Sequence, residues 1–104
     1  MKKFKVRYGD MFFEDLEMIV RYILEQSGSV ETARRFYVNA LNCIEKRSFG
    51  ADSYEVFHPY KNAPDYYRLY FGNYTIFYVI ENNAMNVRRI LWSGKQETTG
   101  NDYT

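Results

Sequence analysis

Few residues of this chain have types that could carry out chemistry, and its single histidine is the first candidate. His58 precedes Pro59 in a turn-rich stretch, and its imidazole could act as a general acid or base. A metal site would need further histidine or cysteine ligands beside it, so we predict no metal site and no cofactor. The only cysteine, Cys43, lies beside an apolar helical stripe, and we interpret it as a packing residue rather than a reactive thiol. Without a partner it forms no internal disulfide, which fits a reducing, cytoplasmic compartment.

The second candidate group is a cation among aromatic rings. Tyr66, Arg68 and Tyr70 alternate along one run of residues, and Phe77 and Trp92 follow in the next two runs. Aromatic rings can stack on bases or pack under a bound protein segment, and a guanidinium can contact a phosphate. For Arg68, a phosphate or partner contact and a structural ion pair are both open. For the aromatic residues, contact with a target and burial under a bound partner segment are both open.

Residues 66–92 are predicted to form three consecutive antiparallel strands. They are rich in Tyr, Phe, Ile and Val, and Gly72-Asn73 and Asn82-Asn83 supply the positive φ that two-residue turns need. The first turn sets Phe71 opposite Tyr74, and alternation then separates two faces. The face predicted to pack on helices carries Tyr67, Leu69, Phe71, Tyr74, Ile76, Tyr78 and Ile80. The mixed face, the predicted working surface, carries Tyr66, Arg68, Tyr70, Thr75, Phe77 and Val79.

The last of these strands contains two adjacent arginines. Strict alternation would place only one of Arg88 and Arg89 on the open face. A β-bulge between them would let both Val87 and Ile90 pack inward. The sequence leaves open which arginine faces the open surface.

A strand and two helices are predicted ahead of this segment. Phe4 to Tyr8 alternates apolar and charged residues, as a strand does, until Gly9-Asp10 ends it. Apolar residues at helical spacing predict one helix from about Asp10, as N-cap, to Gln26 and another over about Val30 to Arg47. The connection Ser27-Gly28-Ser29 is short enough to force an antiparallel hairpin, its glycine taking the C′ position and its last serine capping the second helix.

The predicted element order is β-α-α-β-β-β, an α+β fold. A helical hairpin packs on one face of a largely antiparallel sheet, and Tyr54 to Phe57 could add a short edge strand. With 104 residues the chain is predicted to be a single domain, 1–104, with a polar tail from about residue 97.

Charge and hydropathy narrow the classes of function. The formal net charge of +1 gives no strong overall field for nucleic acid, although local patches are allowed. Nothing after Lys2 and Lys3 resembles a signal peptide, and the longest apolar run, Tyr74 to Ile80, is too short to span a bilayer. We expect a cytoplasmic protein that does not enter the membrane.

With this element order, the chain resembles the RelE/ParE superfamily, the toxins of bacterial type II toxin–antitoxin and plasmid stabilisation systems. The resemblance covers about residues 4 to 97, and its most specific part is the Gly-x-Tyr-x-Ile-Phe-Tyr piece. The residues that carry it are Asp15-Leu16, Ile19, Tyr22-Ile23, Ala33, Phe36, Tyr67-Arg68, Gly72-Asn73-Tyr74-Thr75-Ile76-Phe77-Tyr78 and Arg89-Ile90-Leu91-Trp92.

The resemblance implies growth inhibition by one of two routes and neutralisation by an antitoxin. ParE-like members poison DNA gyrase, whereas RelE-like members cleave mRNA on the ribosome. Relatives are held by a short antitoxin whose C-terminal segment wraps the toxin, so a toxin–antitoxin hetero-oligomer is expected. On this comparison the partner-binding candidates are Tyr66, Tyr70, Phe77 and Trp92.

The ribonuclease branch uses basic side chains on the open sheet face to hold the phosphate and activate the 2′-hydroxyl. Carried over to this sequence, the candidate catalytic residues are Arg68, Arg89 and Lys95. The remaining positions depart from that pattern: Tyr70 and Thr75 replace basic residues, Gln96 falls where the catalytic arginine would be, and Trp92 stands where many relatives carry histidine.

These departures favour a ParE-like toxin that binds gyrase or a similar target. The alternatives are a RelE-like endoribonuclease and a toxin-fold interaction module without toxicity. Whether the chain is an enzyme therefore stays open, as do the antitoxin, the oligomeric state and the toxicity of this copy.

Overall fold

The first half of the chain folds into one strand and two antiparallel helices. The computed structural model describes residues 1–94, in which β1 spans Lys5–Tyr8, α1 spans Asp10–Ser27 and α2 spans Val30–Arg47. The predicted bounds are confirmed to within about one residue. Among the described residues, neither helix is long and apolar enough to cross a membrane.

The helix ends follow local sequence, with one difference from prediction. Gly9 takes the N-cap position of α1, and Asp10, predicted as the cap, is the first helical residue, where its charge still favours the helix dipole. Gly28 adopts a left-handed φ of 67° and its N–H donates to the Leu24 carbonyl at 2.8 Å. Ser29 Oγ accepts from the Thr32 N–H at 3.1 Å, which confirms the predicted cap of α2.

The second half of the chain supplies the rest of a five-stranded sheet. A 3₁₀ turn at Ala51–Ser53 leads to β2 (Val56–Phe57), β3 (Tyr66–Phe71), β4 (Tyr74–Glu81) and β5 (Ala84–Trp92). The strand order is β1-β5-β4-β3-β2; β1 is parallel to β5 and the other pairs are antiparallel. The α+β fold is therefore as predicted, with β2 shorter than the Tyr54–Phe57 expected.

The two hairpin turns set the register that the sequence predicts. Gly72, Asn82 and Asn83 have φ values of 58°, 54° and 60°, the left-handed conformation that these turns need. Phe71 pairs with Tyr74, and the other predicted cross-strand partners of β3 and β4 follow.

The core lies between the helical hairpin and one face of the sheet. The most deeply buried side chains from the two layers are Phe12, Leu16, Ile44, Ile76, Tyr78, Met85, Val87 and Ile90. Arg47, at the end of α2, joins the layers: its guanidinium lies 3.5 Å from the centre of the Tyr54 ring and donates to Tyr78 Oη at 2.9 Å. Tyr78 Oη in turn donates to the Ala51 carbonyl at 2.8 Å.

The adjacent arginines of β5 lie at a bulge. The pairing passes from Phe77–Arg89 to Tyr78–Val87, so that Arg88 is the extra residue. Both Val87 and Ile90 are buried, at 0% and 1% exposure, which is the arrangement that a bulge allows.

Candidate functional site

The face of the sheet turned away from the helices is one of two candidate surfaces, and we call it the open sheet face. Its central row runs across all five strands, because paired residues share a face. The row consists of Arg7, Asn86, Val79, Tyr66 and Phe57. By the same pairings the neighbouring rows add Lys5, Arg68, Tyr70, Thr75, Phe77, Glu81, Ala84, Arg89 and Leu91.

Not all of the predicted working surface is exposed. Thr75 and Val79 are buried, at 6% and 1% exposure, because larger side chains on the adjacent strands flank them. Tyr70 is 51% exposed, whereas Tyr66, Arg68 and Phe77 are half-buried. The accessible part of the face is thus formed by aromatic rings and cations.

Arg68 lies over an aromatic ring. Its guanidinium carbon is 4.0 Å from the centre of the Phe57 ring, and that ring is 6.0 Å from the ring of Phe77. Within residues 1–94 no carboxylate lies within salt-bridge distance of Arg68. Among the described residues Arg68 therefore makes a cation–π contact and no structural ion pair, and a role toward a phosphate or partner stays a prediction.

Arg88, the unpaired residue of the bulge, lies on the open face beside Glu81. Its guanidinium reaches back along the sheet to Glu81, with Nη2 3.7 Å from Oε2. Glu81 belongs to the open face by strand alternation, since Tyr74, Ile76, Tyr78 and Ile80 point to the helices.

Arg89 instead forms an ion pair with the first helix. Its Nε and Nη2 atoms donate to the two oxygens of Asp15 at 2.7 and 2.9 Å. Asp15 Oδ2 also accepts the N–H of Ile90 at 3.1 Å, at the edge of β5 beyond the end of β1. The Asp15 carboxylate raises the pKa of Arg89, so this arginine stays charged in a structural ion pair.

The second candidate surface, the α1–β5 groove, is an apolar cleft of about 480 Å³ between α1 and the end of β5. Its apolar lining consists of Met18, Ile19, Tyr22, Tyr74, Ile90, Leu91 and Trp92. Trp92 pairs with Tyr74 and so lies on the helix side, away from the other three partner-binding candidates. Met18, Tyr22 and Trp92 are 68%, 59% and 66% exposed, which is unusual for large apolar side chains.

The remaining candidates lie apart from both surfaces or outside the described residues. His58 Nε2 is 2.7 Å from Asp65 Oδ1 in an exposed loop pair. Cys43 is half-buried on α2, and burial raises the pKa of its thiol, as for a packing residue. Lys95 and Gln96 lie outside the described residues. No group of three metal-ligating side chains occurs within residues 1–94.

Sequence reasoning missed Lys5, Arg7 and Asp15. The alternation of β1 shows that Lys5 and Arg7 point away from Val6, but their place beside Asn86 depends on the parallel pairing with β5. Asp15 is only one of the residues that carry the family resemblance, and no local pattern predicts its contact with Arg89 across 74 positions of sequence.

The chain matches one family of known proteins in sequence and a solved structure in fold. A family model described as "ParE toxin of type II toxin-antitoxin system, parDE" matches residues 6–96. A solved structure described as "Chromosomal ParDE TA system from P. aeruginosa" aligns with a TM-score of 0.72 and 12% identity, covering 86% of this chain and 95% of that chain. Among curated protein sequences there is no significant match.

Proposed function

We propose that this chain, which belongs to the ParE toxin family of type II toxin–antitoxin systems, inhibits growth by binding DNA gyrase or a similar target and is neutralised by an antitoxin that occupies the α1–β5 groove. The observation that carries the proposal is the groove itself. Met18, Tyr22 and Trp92 are large apolar side chains exposed together beside a strand edge. Such a surface suits a partner segment that stays bound.

The edge at the end of β5 offers the antitoxin a second kind of contact. β1 pairs only with Ala84–Val87, so among the described residues the last part of β5 has no neighbouring strand on that side. Asp15 satisfies the N–H of Ile90 there, and Trp92 follows two residues later. An extended antitoxin segment could therefore add main-chain hydrogen bonds while its apolar side chains enter the groove.

The non-nuclease route is supported by the position of Arg89. Arg89 is one of three candidate catalytic residues, and its Nε and Nη2 atoms both donate to the Asp15 carboxylate. Trp92, a second position of the ribonuclease pattern, lies in the groove rather than on the open sheet face. Arg89 is thus engaged by the fold and Trp92 lies away from Arg68, whereas mRNA cleavage would require free catalytic side chains together on one face.

Inducible expression in bacteria tests the target, with DNA synthesis and protein synthesis followed separately. We expect filamentation and a DNA-damage response while translation initially continues. A rapid halt of translation with cleaved mRNA would instead establish the ribonuclease route. No growth defect at verified soluble expression would overturn both toxic routes and leave an interaction module.

A matched pair of tyrosine variants tests the antitoxin site. Tyr22, in the groove, and Tyr60, in the loop before β3, are 59% and 61% exposed. Co-purification with a co-expressed antitoxin that binds the wild-type chain should be lost or weakened at least tenfold in Tyr22→Ala and unchanged in Tyr60→Ala. Equal binding by both variants would exclude the groove as the principal contact.

A further inference from the structure

The four methionines of this chain have different surroundings, and all four lie within residues 1–94. Met85 is buried in the core, at 0% exposure, whereas Met11 and Met18 on α1 are 50% and 68% exposed. Met1 lies with its side chain against Gly50. Of the four, only Met18 lines the α1–β5 groove. The groove therefore contains one accessible thioether.

A thioether can be oxidised by hydrogen peroxide in a single step. The sulfur attacks one oxygen of the peroxide; the S–O bond forms as the O–O bond breaks, and the other oxygen leaves as water with both peroxide protons. Sulfur is oxidised by two electrons and the peroxide is reduced by the same two. A thioether has no proton to lose, so unlike a thiol it reacts without prior ionisation. The product, methionine sulfoxide, is a polar side chain in place of an apolar one.

We propose that Met18 is an oxidation site, and that its conversion to the sulfoxide by a peroxide weakens binding of the antitoxin to the α1–β5 groove. The inference rests on the proposed function of that groove and adds a regulation to it. Met18 shares the groove with Tyr22 and Trp92, so a segment that covers these exposed rings also covers the Met18 side chain. The sulfoxide oxygen would then lose its water, and a segment that fits an apolar thioether supplies no donor to replace it. We expect antitoxin binding to weaken about tenfold.

Oxidation of Met18 should occur in the free chain and not in the complex. The reaction needs an accessible sulfur, and a bound antitoxin segment would exclude peroxide from the groove. A chain that is free when peroxide is present would therefore remain free. Methionine sulfoxide reductases return the sulfoxide to the thioether, so the change is reversible.

The thiol of Cys43 is a poor competitor for the oxidant. Cys43 is half-buried on α2 and does not line the groove. Burial raises the pKa of its thiol, which disfavours the thiolate that peroxide attacks. Loss of antitoxin binding after mild oxidation should therefore originate at Met18.

Peptide mass spectrometry of the full chain, after timed treatment with hydrogen peroxide, gives the rate at which each methionine gains an oxygen atom. In the free chain Met18 should react about tenfold faster than Met85, because susceptibility follows exposure. The same treatment is repeated on the complex with a co-expressed antitoxin that binds the wild-type chain. The rate at Met18 should fall about tenfold in the complex, while the rate at Met1 should not change.

Two matched variants connect the modification to binding. Met18→Leu keeps an apolar side chain of similar volume and removes the sulfur, and Met11→Leu makes the same change on α1 outside the groove. Each variant is compared with its own untreated sample. Peroxide should weaken antitoxin binding about tenfold in the wild type and in Met11→Leu, and should leave the affinity of Met18→Leu as it was. Methionine sulfoxide reductases should restore binding by the oxidised wild type.

Three results would overturn the proposal. They are oxidation of Met18 no faster than that of Met85, unchanged antitoxin affinity after full conversion of Met18, and an equal loss of affinity in Met18→Leu. If untreated Tyr22→Ala has lost the antitoxin, each of these results leaves the α1–β5 groove as the antitoxin site. Binding by untreated Tyr22→Ala as tight as that of the wild type would instead overturn both the groove and the oxidation site.

Discussion

Two arginines in one row of the sheet have opposite environments. Arg68 and Arg89 pair with Phe77 from either side, on β3 and β5. Arg89 is held by Asp15, which also satisfies the backbone of Ile90. Arg68 is stacked on a ring without a carboxylate partner among residues 1–94. Arg89 is thus tied into the fold by a carboxylate of its own, whereas the described residues give Arg68 none.

The largest loss of stability should follow removal of that anion. Asp15→Ala leaves Arg89 unpaired and the Ile90 N–H without an acceptor, and we expect about 2 kcal/mol of destabilisation. Water recovers part of the cost, because the Arg89 side chain is 36% exposed. Urea denaturation followed by circular dichroism gives the free energy of unfolding.

Two further variants, Asp15→Asn and Asp10→Ala, separate the ion pair from the backbone hydrogen bond and from the charge at the start of the helix. Asn keeps an acceptor for the Ile90 N–H, so the free energy of unfolding of Asp15→Asn should lie between those of the wild type and Asp15→Ala. Asp10 is an exposed carboxylate in the first turn of the same helix, and Asp10→Ala should cost about 0.5 kcal/mol at most. Equal effects of Asp10→Ala and Asp15→Ala would mean that the ion pair contributes no more than helix-dipole charge.

The next largest loss of stability should follow removal of the Tyr78 hydroxyl, which lies on the helix-packed side of the sheet. Tyr78→Phe removes the donor to the Ala51 carbonyl and the acceptor of Arg47, both in or near the core. Leaving those groups unpaired should cost about 1–2 kcal/mol. Tyr70→Phe, on the open sheet face and 51% exposed, should change the free energy of unfolding by less than about 0.5 kcal/mol. A larger loss in Tyr70→Phe would indicate that the open face is part of the stabilising structure.

The difference between local and long-range contacts explains which features the sequence could predict. The helix caps and hairpin turns depend on neighbouring residues, so Ser29, Gly28 and Gly72 fix them locally. The ion pair of Asp15 with Arg89 spans 74 positions, and no local pattern announces it. The open question of a bulge at the two adjacent arginines was settled only by the strand pairing, and the position of Trp92 beside α1 was not predicted.

A smaller effect on stability is expected at Arg68. Its contact with Phe57 is a partly exposed cation–π interaction, for which about 0.5 kcal/mol is typical. Arg68→Ala should therefore unfold close to the wild-type urea midpoint. Arg89→Ala should show a clear loss of stability, because it leaves Asp15 without its cation. Equal losses of stability in the two variants would remove the distinction between an arginine that the fold holds by an ion pair and one that it does not.

The last and smallest expected effect is the dependence of stability on pH. It is absent below about pH 10, and above that pH it again distinguishes the two sides of the sheet. Burial raises the pKa of Tyr8, Tyr67, Tyr74 and Tyr78, and all four lie on the helix-packed face. A tyrosine with a raised pKa keeps its proton in the folded state at a pH where the unfolded chain has begun to lose it. Its contribution is therefore complete below about pH 10, the ordinary tyrosine pKa, and is lost as the pH rises through the raised value. Urea midpoints should decline above pH 10, and less steeply in Tyr78→Phe than in Tyr70→Phe. A decline equally steep in both variants would show that the buried hydroxyl of Tyr78 does not contribute to it.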